Sequence, residues 1–165
     1  MQGFSKREGG KIMPYVRNKS ISVVITKTGP KSATFALNEN NGKGPTDEIR
    51  FHNNKHPGLV VYFNIKDPDG TDLEFRPDPG DSMCVAAPIG TGKNPPPCPP
   101  PNGAKWAGFV PLSVEKDKGG KRTQLIAYFR NETEAKCRFA LRFLWPDGTP
   151  EDYDPIGDGA NGLRA

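Results

Sequence analysis

The sequence predicts an all-β protein, a single domain folded as a two-layer antiparallel β-sandwich of immunoglobulin-like or jelly-roll-like type with about 8–9 strands. Three observations carry this expectation. The run from Lys136 to Trp145 alternates regularly, sending Cys137, Phe139, Leu141, Phe143 and Trp145 one way and Lys136, Arg138 and Arg142 the other. Successive side chains leave opposite faces of a pleat, so this run is a strand with one buried side. The 19 glycines and 18 prolines are spread so widely that few gaps hold a long helix, and a proline costs about 3 kcal/mol inside one. Finally, 165 residues suit one core, which at this size takes roughly two-thirds of the unfolded chain's surface out of water.

The elements follow in order. Residues 1–19 mix glycine with Lys and Arg and have little apolar pattern, so they read as a flexible basic arm. The sandwich is expected over residues 20–149. Ile21, Val23 and Ile25 alternate with small polar residues, Thr28-Gly29-Pro30 turns the chain, and Ala33, Phe35 and Leu37 return it as the second strand of a hairpin. Ile49 and Phe51 mark a short third strand, and Leu59, Val61, Phe63 and Ile65 a strong fourth. Asp67-Pro68-Asp69-Gly70 is a turn in which proline presets φ and glycine is expected to supply the positive φ. Leu73 with Phe75, then Met83 with Val85 and Ala87, give the fifth and sixth strands. Prolines dominate residues 90–102, and a residue without an N–H donor cannot join a ladder. Strands resume at Phe109 to Val114 and at Leu125, Ala127 and Phe129. The latter is expected to form a hairpin with the Lys136–Trp145 strand. Residues 150–165 read as an acidic irregular tail.

Charge is graded along the chain. The net balance is +4 with a pI near 9.0, yet residues 1–36 hold seven Lys/Arg against Glu8 alone, and residues 146–165 hold five Asp/Glu against Arg164. Such opposite ends attract each other or a neighbouring copy, and a basic balance favours weak adhesion to polyanions. No apolar stretch approaches the ~20 residues of a membrane span, and the amino terminus lacks the apolar block of a secretory signal. The expected compartment is therefore the cytoplasm. Three cysteines, an odd number, fit a reducing compartment better than a disulfide framework, although Cys84 and Cys98 are spaced to close a loop over the prolines.

Candidate chemistry is sparse. Gly90-Thr91-Gly92-Lys93 has the ring of a phosphate loop, but Ala87 stands at the upstream glycine position, Asn94 replaces the magnesium-binding hydroxyl, and three prolines follow where a helix should start. Asp67, Asp69 and Asp72 resemble part of a calcium loop but are out of register and lack the distal glutamate. His52, His56 and Cys84 supply the donor types of a zinc or blue-copper-like site, so Cu or Zn is the alternative to having no cofactor. The surface feature with most content is the polar face of the last hairpin. Lys136, Arg138 and Arg142, together with Tyr128 and Arg130 on the expected partner strand, would interleave guanidinium groups with an aromatic, a face suited to polyanions, acidic proteins or the chain's own acidic tail. With no catalytic constellation to build on, the sequence points to a non-catalytic binding or assembly module whose partner is a protein or a second copy of itself.

Overall fold

Among the described residues, the segments in which apolar and polar residues alternate are extended. The computed structural model describes residues 7–8, 11–12, 17–39, 48–50, 58–85, 108–130, 136–153 and 156–158. Their elements are β1 (Arg7–Glu8), β2 (Lys11–Ile12), β3 (Arg17–Gly29), β4 (Ser32–Glu39), β5 (Glu48–Arg50), β6 (Leu59–Ile65), a 3-10 turn (Pro68–Gly70), β7 (Glu74–Phe75), α1 (Pro79–Ser82), β8 (Met83–Val85), β9 (Phe109–Lys116), β10 (Arg122–Phe129), β11 (Lys136–Leu144), β12 (Pro150–Tyr153) and β13 (Ile156–Asp158). The all-β class is what the alternation predicts. The single turn of helix was not expected, yet its signal is present: Asp78 accepts from the Gly80 N–H as N-cap and Pro79 opens the turn.

A five-stranded sheet runs in the order β4-β3-β6-β10-β9. The second sheet is organised around β11. Along one edge β12 and β13 keep a single register, with Leu141 opposite Tyr153 and Arg138 opposite Ile156, and β5 lies beyond β13. The other edge pairs with β7 and β8. Among the described residues β1 and β2 form a two-stranded sheet of their own. Two neighbours are parallel, β3 with β6 and β13 with β5, so the sheets are mixed rather than wholly antiparallel.

The core lies between the sheets. Ile21, Val23, Leu37, Val61, Phe63, Leu125 and Ala127 from the first sheet and Leu73, Phe75, Phe139, Leu141 and Phe143 from the second side are fully buried in one cluster. Rings fasten the layers together: Phe139 sits 5.7 Å from Phe63 and 5.4 Å from Phe109, and Phe35 stacks on both Phe143 and Tyr153. Aromatic pairs in these geometries add about 0.5–1.5 kcal/mol each beyond area burial.

Three expectations are corrected. β10 and β11 do not form a hairpin: β10 pairs with β6 and β9, while β11 belongs to the other sheet. Both strands bury their odd-numbered residues, and facing strands in opposite layers satisfy that pattern as well as neighbours do. The acidic segment is not irregular throughout, because β12 and β13 add to the edge of β11. Tyr153 turns inward to stack on Phe35, and Glu151 accepts a hydrogen bond from Trp145 Nε1 at 3.1 Å, so a charged strand is held by its two anchored residues. At the Asp67 turn the positive φ of 52° belongs to Asp67 itself rather than to Gly70, whereas Gly148 does take φ 89° after Asp147. In addition, β3 begins at Arg17, inside the segment assigned to the arm.

The two ends of the molecule differ. At one end the short turns are cross-tied by charge: Lys27 to Asp72, Lys31 to Asp147, Lys121 to the Pro68 carbonyl, and Arg122 to Glu74 and the Phe75 carbonyl. The Lys27 and Lys31 ammonium groups hold the Asp72 and Asp147 carboxyls below the usual carboxylate range, mainly by hydrogen bonding to the ionised form. At the other end β4, β8 and β10 finish and β6, β9 and β11 begin, so the connections 40–47, 51–57, 86–107 and 131–135 all attach there. Beside those connections, Lys19 forms an ion pair with the buried Glu39.

Candidate functional site

The residues expected to form one basic patch are divided between two layers. Tyr128 lies on the outer face of the first sheet, its neighbours Ala127 and Phe129 being buried. Arg130 is exposed just past β10, and its backbone N–H donates to the Gly108 carbonyl. Arg142 lies on the outer face of the second sheet, between the buried Leu141 and Phe143. Tyr128 and Arg142 therefore point away from each other across the core. Lys136 and Arg138 belong to β11, but their side chains lie outside the described residues. His52, His56 and Cys98 also fall outside them. Cys84 is buried in β8, opposite Ala140. Among the described residues no three His, Cys, Asp or Glu side chains gather as a metal site would require.

What the structure does assemble is an uncharged face. Reading across the first sheet by register, one row is Asn18, Val60, Tyr128 and Val110; the next is Ser20, Tyr62, Ile126 and Ser113. A third row joins Asn38, Ser22, Asn64 and Gln124 and ends at Glu115 of the edge strand, and a fourth pairs Val24 with Ala36. Apart from the exposed Glu115, these side chains are half-buried and uncharged. Lys66 and Arg130 add charge at the margins. The third row is fixed by a 2.7 Å hydrogen bond from Gln124 Nε2 to Asn64 Oδ1. Tyr128 lies against Gly58, where a Cβ would come within 2.2 Å of the Tyr128 hydroxyl. Leu112, the one large apolar side chain exposed among the described residues, sits at the rim in β9, where a register shift opposite Ile126 and Ala127 marks a bulge.

The outer face of the second sheet is built differently. Arg142 is the cross-strand partner of Asp152, and Arg76, one residue past β7, lies on the opposite side of Arg142. Arg76 Nη2 donates to Asp152 Oδ1 at 3.1 Å, and Arg142 Nε stands 3.7 Å from Asp152 Oδ2. The chain's acidic segment thus docks on its own Arg142.

Neither the uncharged face nor Arg76 emerged from the sequence. The signal for the face was present, since the even-numbered positions from Asn18 to Val24, Val60 to Asn64 and Gln124 to Tyr128 carry no charge. Arg76 gave no signal, being 66 residues from its row partner. Comparison with protein-family models and with curated proteins gave no match.

Proposed function

We propose that this protein is a non-catalytic assembly module that pairs with a second copy of itself through the outer face of its five-stranded sheet. The observation that carries the reading is the lack of charge in the middle of that face, from Asn18 to Val24, Val60 to Asn64 and Gln124 to Tyr128 on its outward positions, in a chain where one residue in four is charged. An ordinary solvated sheet face carries Lys and Glu on its outward positions; this one carries Val60, Tyr62, Val110, Ile126 and Tyr128 among amides and hydroxyls. Such groups donate and accept equally well, so the face is complementary to itself.

Charge selects the occupant. Two copies of a chain with net charge +4 repel wherever basic surfaces meet, and this face brings no like charges together. Five strands spaced ~4.8 Å apart and six residue steps of ~3.3 Å give about 400 Å² in projection per copy, before the relief of the side chains is counted. A pair of such faces comes to ~800 Å² in total by this projection, below the ~1,000 Å² at which stable specific interfaces begin. A reversible dimer is expected rather than a permanent one. Edge pairing through β9 is a poorer route, since Pro111 and the bulge at Leu112 interrupt its ladder.

Sedimentation across a concentration series tests the reading. The wild-type mass should rise toward that of a dimer, and Ile126→Lys, which places an ammonium in the middle of the face, should hold the protein as a monomer with an unchanged circular dichroism spectrum. A wild-type mass that stays monomeric throughout the series refutes it.

A further inference from the structure

The row Arg76, Arg142 and Asp152 sets two guanidinium groups against one carboxylate. Only one of the two contacts is a hydrogen bond, from Arg76 Nη2 to Asp152 Oδ1; Arg142 Nε is 3.7 Å from Oδ2, beyond hydrogen-bond reach. The Nε atoms of both arginines are buried and find no acceptor, which is costly for a charged donor. Both arginine side chains are about four-fifths covered, at 21% and 20% exposure, while Asp152 is half exposed. The guanidinium groups are therefore held in place by packing, and the carboxylate that meets them both is the solvent-facing member. Among the described residues, Glu74 is paired with Arg122 and Glu151 accepts from Trp145 Nε1, so Arg76, Arg142 and Asp152 together carry one net positive charge.

We infer that this row is a binding site for a small oxyanion of phosphate, sulfate or carboxylate type, which bridges Arg76 and Arg142 by taking the place of the Asp152 carboxylate. The planar guanidinium fork matches the oxygens of such groups, and two forks fixed side by side supply more donors than Asp152 can satisfy. Asp152 acts as the internal competitor, filling the site until a better acceptor arrives. This inference does not depend on the pairing of copies, because it concerns the opposite layer.

The direct test is NMR titration of the arginine Nε–H resonances with sodium phosphate, sodium sulfate and sodium acetate, each against sodium chloride at matched ionic strength. The Arg76 and Arg142 signals should move saturably, while that of Arg122, whose Nε already donates to the Phe75 carbonyl, should stay in place. The phosphate and sulfate arms against the acetate arm distinguish a tetrahedral from a planar ligand. Asp152→Asn should tighten binding roughly tenfold by removing the competitor, and Arg142→Gln should weaken it by roughly the same factor. Shifts no larger than those in chloride overturn the inference, as does an Asp152→Asn protein that binds no tighter than wild type. If either variant fails to fold, the wild-type titration decides alone.

Discussion

Phe139→Ala tests the joint between the layers. Phe139 is fully buried and touches Phe63 of the facing sheet at 5.7 Å and Phe109 at 5.4 Å. Truncating a buried phenylalanine costs about 3–5 kcal/mol, through lost transfer energy and the cavity left behind. Here the upper part of that range applies, because two ring pairs worth ~0.5–1.5 kcal/mol each disappear together and the surrounding strands are locked in ladders that resist collapse. A loss of about 4–5 kcal/mol is a large share of the ~5–15 kcal/mol that holds a domain folded. Urea unfolding followed by tryptophan fluorescence measures it. The midpoint should fall steeply with little change in slope, as expected when stability changes without a change in the surface exposed on unfolding. A loss below ~1.5 kcal/mol would show that Phe139 is not clamped between layers, and the two-sheet packing argument would fail with it.

Gly58→Ala should destabilise by about 1–2 kcal/mol, the overpacking cost less the gain from a stiffer unfolded chain, since the new Cβ meets the Tyr128 hydroxyl at 2.2 Å and the Phe129 carbonyl at 3.0 Å. Adding Tyr128→Ala should restore most of that loss in a double-mutant cycle of unfolding midpoints; strictly additive losses would show that the two residues do not touch. The ties of Asp72 and Asp147 to Lys27 and Lys31 predict an acid-sensitive contribution. Both carboxyls are held below their ordinary value, so the stabilisation is complete above the unfolded value near ~4 and is lost as the pH falls through the lower folded values. The melting-temperature gap between wild type and Asp147→Asn should therefore be constant from pH 5 upward, narrow below pH ~4, and shrink in high salt. A gap that widens in acid contradicts the assignment.

Alternation told which side chains turn inward, and it did so accurately: Ile21, Val23, Leu59, Val61, Phe63, Leu125, Phe129, Phe139, Leu141, Phe143 and Trp145 are all buried. It carried no information on which strand lies beside which. Phe129 and Phe139 have the same inward preference whether their strands are neighbours in one sheet or face each other across the core, and the chain takes the second arrangement. The acidic segment was misread for a related reason. Pro150 to Tyr153 has only Tyr153 as an apolar residue, and its extended form depends on Trp145, Phe35 and Arg142, partners that only the fold brings near. Arg142 was recognisable as an outward basic residue, but its company was not. Of the residues expected to join it, Tyr128 stands on the far layer, while Arg76 came from a stretch with no pattern to single it out.

The contrast between the two ends of the molecule has an evolutionary consequence. The charge-tied turns set strand register, so a residue gained or lost there would shift whole ladders. At the opposite end the strand termini are anchored by ladder pairs and by the Lys19–Glu39 ion pair instead, and a flexible connection closes at a cost that grows by only about 0.6 kcal/mol with each doubling of its length. Descendants of this chain are therefore freer to change length at that end than at the charge-tied turns, while the layered body beneath keeps its shape.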